Sequence, residues 1–94
     1  MRLSKKEIEA LKYALDGIID ETYLFGSRTN DKKKGGDIDI LIYSKTQPYQ
    51  LSKKIAVRFF SKCESKIDVI VADPDNMKNE LKAFINEQTL IPIR

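Results

Sequence analysis

The chain has 94 residues, of which 41% are hydrophobic and 33% are charged, and its formal net charge is +3. This composition is too apolar for a disordered chain and too charged for a membrane protein, and the length fits a single domain over residues 1–94. The absence of histidine excludes His-metal sites, Ser-His-Asp triads and Cys-His dyads. The only cysteine, Cys63, cannot form an internal disulfide, and the charged N-terminus lacks a signal peptide's apolar stretch, so we expect a cytoplasmic protein.

The first half of the chain predicts one helix followed by two strands. Ser4-x-x-Glu7 fits a capping box, and apolar residues at steps of three and four from Ile8 predict a helix that ends near Gly17. We then expect a strand over 22–25, a tight turn at Gly26-Ser27, a polar loop over 28–36 and a strand over 37–43.

The second half predicts two more helices and one or two more strands. Pro48 opens a helix that reaches Cys63, with an expected apolar face of Leu51, Ile55, Val57, Phe59 and Phe60. A strand over 66–72, a turn over 73–76, a helix marked by Met77, Leu81, Phe84 and Ile85, and a short edge strand over 90–93 follow. This order, α-β-β-α-β-α-(β), predicts an α/β fold.

Three aspartates interrupt otherwise apolar strands. Alternation places Asp37 and Asp39 on one face of their strand, and Asp68 lies within another apolar strand. An unpaired buried carboxylate costs several kcal/mol, and neighbouring carboxylates repel each other, so this arrangement favours a site for a hard divalent cation such as Mg²⁺. The alternative is a solvent-exposed strand face on which Asp68 pairs with a lysine.

The Gly26-Ser27 turn follows directly on the first strand. Such a turn can direct backbone amides and a hydroxyl at phosphate oxygens, and Arg28 beside it can add a bidentate phosphate contact. An ordinary turn remains the alternative for an isolated Gly-Ser pair.

Positive charge is concentrated in the middle of the chain. Residues 45–66 carry six basic groups against Glu64, and a basic loop with Lys32, Lys33 and Lys34 precedes them. These charges either attract a polyanion, such as a nucleoside triphosphate or an acidic partner, or form a solvated surface. A nucleic-acid binder is less favoured, because few aromatic residues are interleaved with the lysines.

Taken together, the motifs resemble the DNA polymerase beta-like nucleotidyltransferases, and among them the minimal nucleotidyltransferases. The resemblance rests on Leu24-Phe25-Gly26-Ser27-Arg28, on Asp37-Ile38-Asp39-Ile40-Leu41-Ile42 and on Lys66-Ile67-Asp68-Val69-Ile70-Val71. It implies a small mixed β-sheet with helices packed mainly on one face and the acids clustered on the exposed side. One departure is Gly36, where the family often has serine.

The resemblance also implies roles for these residues. Gly26 and Ser27 would hold the β- and γ-phosphates of an incoming nucleotide, expected to be ATP. Asp37 and Asp39 would bind two Mg²⁺ ions, and Asp68 would complete the metal site nearest the acceptor and help to deprotonate its hydroxyl. Arg28 would either steady phosphates or brace the loop.

Finally, the resemblance implies a protein partner, because many minimal nucleotidyltransferases act as antitoxins that attach AMP to a tyrosine of a HEPN toxin. The chain has no room for a second domain, so we expect the acceptor site to come from that partner or from a second copy. The alternatives are a catalytically silent antitoxin that acts by contact alone, a small nucleic-acid-binding domain, and a small-molecule transferase.

Overall fold

A computed structural model describes residues 1–32 and 35–93. Lys33 and Lys34 of the predicted basic loop lie outside the described residues. In the described part of the chain the elements are α1 (Lys5–Ala14), β1 (Thr22–Phe25), a 3-10 helix (Gly26–Thr29), β2 (Ile38–Tyr43), α2 (Pro48–Lys62), β3 (Ile67–Ala72), α3 (Asn79–Asn86) and β4 (Ile91–Pro92). Every predicted helix and strand is therefore present, with bounds shifted by a few residues at most.

The start of α1 is fixed by the predicted capping box. The Ser4 hydroxyl accepts a hydrogen bond from the Glu7 amide at 3.1 Å, and the Glu7 carboxylate accepts one from the Ser4 amide at 2.8 Å. These two bonds satisfy amides that the first turn of a helix leaves free. After α1 the chain passes through Gly17 with φ +80°, a conformation that glycine adopts without strain.

The four strands form one mixed sheet in the order β3-β2-β1-β4. β1 runs antiparallel to both β2 and β4, whereas β2 and β3 run parallel and are connected through α2. Pro92 lies in the edge strand β4, where its missing N–H costs no central hydrogen bond. The mixed α/β sheet expected from the family resemblance is confirmed.

Alternation along the strands divides the sheet into two faces, as predicted. Ile38, Ile40 and Ile42 pack beneath α1 and α2 in the larger core. On the opposite face, Leu41 and Ala72 pack against Ile85 of α3. Two of the three described α-helices therefore share one face, and α3 packs on the other face, from which Asp39 and Asp68 project.

The expected apolar face of α2 is only partly correct. Leu51, Ile55 and Phe59, spaced by four residues, are buried in the core. Val57 and Phe60 are instead 61% and 64% exposed, so their assignment to the core face is wrong. At about 100° per residue they lie on the opposite side of the helix from the buried residues.

Candidate nucleotide and metal site

The parallel pairing of β2 and β3 brings two of the predicted acids side by side. Asp39 of β2 is in register with Asp68 of β3, so both side chains project from the same face of the sheet. Asp37 lies two residues before Asp39, just ahead of β2, and therefore on the same side. The acids that are far apart in sequence meet at the beginning of these two strands.

The electrostatics of Asp39 reflect this crowding. Burial raises the pKa of the Asp39 carboxyl above its ordinary value, and the charges of Asp68 and Asp37 raise it further. The Asp68 carboxylate is within hydrogen-bonding reach of Asp39, which adds to the shift, whereas Lys66 opposes it. The Lys66 ammonium lies 3.7 Å from the Asp37 carboxylate, and both side chains are well exposed. The pair of Asp39 and Asp68 thus carries negative charge that its surroundings only partly compensate.

Gly26 is built directly against Asp39, because the last residue of β1, Phe25, is in register with Asp39. Gly26 has φ +76°, and a Cβ atom placed on it would lie 2.5 Å from Asp39 Oδ2. Only glycine both adopts this backbone conformation easily and leaves the space beside the carboxylate open. The Gly-Ser turn and the acids therefore form one site rather than two separate features.

Substitution of Gly26 by alanine is expected to damage this site specifically. The left-handed backbone costs an alanine about 1–2 kcal/mol, and the added methyl group must displace the Asp39 carboxylate. Gly17→Ala is the matched control, since Gly17 has φ +80° but no neighbouring atom within 4 Å of the place that the methyl group would take. We expect thermal denaturation to show that strain in the backbone lowers the melting temperature of both variants by a similar amount. Titration calorimetry should show loss of Mg²⁺ binding only in Gly26→Ala. Equal Mg²⁺ affinity in the two variants would contradict this account.

The surroundings of position 36 explain why this chain has glycine where the family often has serine. The φ of Gly36 is +91°, and a Cβ atom at this position would collide with the Ser27 hydroxyl. The loop before Asp37 therefore packs its backbone against Ser27, and any side chain at position 36 would push that hydroxyl away.

Arg28 braces the loop through four hydrogen bonds. Its Nη1 and Nη2 atoms each donate to a Glu7 carboxylate oxygen at 2.9 Å, its Nε donates to the Gly36 carbonyl at 2.9 Å, and Nη1 donates to the Arg2 carbonyl at 3.0 Å. The side chains of Arg28 and Glu7 are only 12% and 7% exposed. Of the two roles expected for Arg28, these contacts correspond to the brace, and a phosphate contact stays a prediction.

Glu7 is the residue that sequence reasoning missed. The sequence marks it only as the second half of the capping box, yet its carboxylate also anchors Arg28 and thereby ties α1 to the Gly-Ser turn. One signal is present in the sequence: Glu7 precedes Leu11 and Ala14 by four and seven residues, so it lies on the buried face of α1.

A pH dependence follows from this buried carboxylate. Burial raises the pKa of Glu7, but hydrogen bonds from Arg28 and Ser4 and the charge of Arg28 outweigh burial and leave the pKa below 4.5, its ordinary value. A carboxyl group with a lowered folded-state pKa stabilises the fold above its unfolded-state pKa and loses that contribution as the pH falls through the folded value. Urea denaturation should therefore show that Glu7→Gln has a lower free energy of unfolding than the wild type at pH 7. The difference between the two free energies should become smaller as the pH falls below 4.5. Glu9→Gln, at an exposed position of α1, should differ from the wild type much less in its free energy of unfolding at pH 7.

The N-terminal segment closes over the same loop. Arg2 donates through its guanidinium to the carbonyls of Gly35 at 2.6 Å and Asn30 at 3.2 Å, and the Met1 amine pairs with the Asp31 carboxylate at 3.0 Å. Both ends of the loop are thus held by the first residues of the chain and by Arg28.

The chemistry of this site fits a divalent cation. Its donors are carboxylate oxygens, which Mg²⁺ prefers, and a cation would relieve the repulsion between Asp39 and Asp68. The open space left by Gly26 lies in front of Asp39 Oδ2. Within residues 1–32 and 35–93, no group of three or more histidine, cysteine, aspartate or glutamate side chains is drawn together closely enough to hold an ion as it stands.

The fold and the site together define a nucleotidyltransferase domain: a small mixed sheet with a glycine-serine turn beside paired strand aspartates. The family model "Polymerase beta, Nucleotidyltransferase" matches residues 8–93, so the chain belongs to this family. Members of the family typically use divalent metal ions. The chain has no significant match among curated proteins. None of the described helices combines the length and hydrophobicity that crossing a bilayer requires.

Proposed function

We propose that the protein catalyses Mg²⁺-dependent transfer of a nucleoside monophosphate, AMP from ATP, to an acceptor hydroxyl. The observation that carries this proposal is the register of Asp39 with Asp68 beside the glycine at position 26. Carboxylates gathered next to a glycine-serine turn are suited to a metal-bound triphosphate, since backbone amides of such a turn can donate to phosphate oxygens.

In this proposal each site residue has a defined role. Gly26 and Ser27 bind the β- and γ-phosphates through backbone amides and the serine hydroxyl. Asp37, Asp39 and Asp68 hold two Mg²⁺ ions, which when bound supply positive charge to the attacking and leaving oxygens of an in-line displacement. Asp68 also accepts the proton of the acceptor hydroxyl. The acceptor oxygen forms a bond to the α-phosphorus, the bond to the β-phosphate oxygen breaks, and pyrophosphate leaves.

Arg28 contributes by holding the turn in place. Its bonds to Glu7 and to the Gly36 carbonyl connect the residue before Asp37 to the residue after Ser27. The phosphate-binding turn and the first acid are therefore fixed relative to each other before any ligand arrives, which reduces the cost of ordering them on binding.

Binding of nucleotide and metal provides the direct test of the site. A non-hydrolysable ATP analogue with Mg²⁺ should raise the melting temperature of the wild type, since a ligand at about 100 times its Kd stabilises the folded state by about 2.7 kcal/mol. Asp39→Asn should lose the Mg²⁺-dependent part of this shift. Asp75→Asn is the matched control, because Asp75 is an exposed aspartate that pairs with Lys45. An equal shift in Asp39→Asn would contradict the proposed site.

We further propose that the acceptor is a tyrosine of a HEPN-family protein, and that the protein acts in the cytoplasm as the antitoxin of that partner. Support for this step comes from the family resemblance of the sequence. After incubation with Mg²⁺ and ATP, mass spectrometry should find one AMP added to a tyrosine of a HEPN protein, together with loss of its ribonuclease activity. Silencing that is equally complete with Asp39→Asn would favour a contact-only antitoxin.

A further inference from the structure

One face of α2 carries apolar side chains that the described part of the chain leaves uncovered. Tyr49, Val57 and Phe60 are 62%, 61% and 64% exposed. They lie on the side of the helix opposite the buried residues of α2, within about 80° of one another at about 100° per residue. We call these three residues the outer stripe of α2.

A groove adjoins the outer stripe where α2 ends and β3 begins. It has a volume of about 350 Å³ and is lined by Ala56, Val57, Phe60, Ser65, Lys66 and Ile67. Its lining is mainly apolar, and it lies beside β3, which is an edge strand of the sheet. The groove has room for large apolar side chains from outside the domain.

The charge around this surface is predominantly positive. The sequence of α2, Pro48–Lys62, contains four basic residues and no acidic residue. Lys53 lies over the Tyr49 ring with its ammonium 5.8 Å from the ring centroid, and Lys66 lines the groove. Over residues 45–66, Glu64 is the single acidic residue against six basic ones. A partner that presents negative charge around an apolar centre is therefore electrostatically complementary to this surface.

This charge pattern distinguishes between possible occupants. A second copy docking through the same stripe would bring two basic helices together, which costs energy through like-charge repulsion. A single-stranded nucleic acid would satisfy the lysines, but Phe60 is the single ring among the described residues that line the groove, and the Lys53 ammonium already lies over the Tyr49 ring, so stacking of successive bases is poorly supported. The i, i+3 spacing of Val57 and Phe60 instead matches the ridges through which two helices pack.

We infer that the outer stripe and its groove form a docking surface for an acidic amphipathic helix of a partner protein. The partner helix presents two or more apolar side chains at i, i+3 or i+4 spacing to Val57 and Phe60, and glutamates or aspartates to Lys53. Apart from Lys66, which also pairs with Asp37, this surface lies on the side of the sheet that α1 and α2 cover, whereas Asp39 and Asp68 project from the other face. Docking therefore does not depend on nucleotidyl transfer, and its test is separate from that of the proposed function.

The test measures, by fluorescence anisotropy, the binding of three labelled probes to the full chain. The first is a helical peptide with leucines at i, i+3, i+4 and i+7 and glutamates on its other face. The second replaces every glutamate by lysine, and the third is a single-stranded oligonucleotide. We expect only the glutamate peptide to bind in a manner that requires the outer stripe, with affinity that falls as salt is added.

Two surface variants locate the binding. Phe60→Ser should weaken the glutamate peptide at least about tenfold, as truncation of a central aromatic does at interfaces, and Lys53→Glu should weaken it and reduce its salt dependence. Both positions are exposed, so we expect circular dichroism to show an unchanged fold. Ile19→Ser removes an apolar side chain that is 93% exposed elsewhere, and Lys82→Glu reverses an exposed charge on α3, so both controls should bind as the wild type does.

Several results would overturn the inference. These are failure of the glutamate peptide to saturate below about 1 mM, equal binding of the lysine peptide, or unchanged affinity in Phe60→Ser. Binding of the oligonucleotide that is lost in Phe60→Ser would assign the surface to nucleic acid instead. Self-association in sedimentation experiments that is lost in Phe60→Ser would assign it to a second copy.

Discussion

Asp39→Asn is expected to abolish nucleotidyl transfer, with a rate loss of about 10³-fold or more, because several kcal/mol of metal-supplied charge stabilisation disappear from the transition state. The fold should persist. In metal-free buffer at pH 7 the variant should even melt at a higher temperature than the wild type, since a neutral amide removes the repulsion between Asp39 and Asp68. Transfer rates and thermal denaturation of the same preparations measure both effects.

Asp75→Asn serves as the control for Asp39→Asn in both measurements. Asp75 is an aspartate outside the site, and its carboxylate pairs with Lys45 where both side chains are about 70% exposed. Its loss should leave the transfer rate unchanged and alter stability by no more than a surface ion pair does, about 0–1 kcal/mol. A variant at Asp39 that retains transfer, or that melts at a lower temperature than the wild type without metal, would contradict the assigned role.

The buried ion pair between Arg28 and Glu7 is expected to make a large contribution to stability. Arg28→Ala is expected to lower the free energy of unfolding by about 3–5 kcal/mol, because it leaves the Glu7 carboxylate buried without its partner. Domains of this kind are stable by only about 5–15 kcal/mol, so the variant should be close to unfolding. Urea denaturation at pH 7 gives the measurement. Arg58→Ala is the matched control, since Arg58 makes an exposed hydrogen bond to the Asp16 carbonyl and should cost about 1 kcal/mol.

A double variant separates the ion pair from the general effect of losing an arginine. Glu7→Gln combined with Arg28→Met leaves no unpaired charge, so it should be more stable than Arg28→Ala alone. Arg28→Lys keeps the charge but cannot reproduce the bidentate contact with Glu7 together with the bond to the Gly36 carbonyl. It should therefore remain clearly less stable than the wild type. A loss in Arg28→Ala no larger than that in Arg58→Ala would contradict the role of Arg28 as a brace.

The parts of the fold that could be predicted from sequence are those set by local periodicity. Alternation alone separates Ile38 and Ile40 from Asp39, and the capping box and Pro48 mark two helix starts. The parallel register that joins Asp39 to Asp68 is a contact between distant segments, and only the family resemblance pointed to it. Nothing in the local pattern of either strand specifies its neighbour.

The features that sequence missed depend on tertiary contacts of single residues. Glu7 resembles any capping glutamate until Arg28 is placed against it, and Gly36 resembles any loop glycine until the Ser27 hydroxyl occupies the space of its side chain. Val57 and Phe60 resemble core residues in the sequence because they are apolar and close to Phe59. Helical geometry directs them outward, and the groove beside them depends on where β3 begins.

A label-transfer assay, with ATP that carries the label at either its α- or its γ-phosphate, tests directly whether the site around Asp39 transfers a nucleotide. The protein, Mg²⁺ and a HEPN-family protein are incubated with each nucleotide, beside parallel reactions with Asp39→Asn. We predict that label reaches the partner only from the α position and only with the wild-type chain. Label that arrives from the γ position, or from the α position equally with Asp39→Asn, would contradict nucleotidyl transfer at this site.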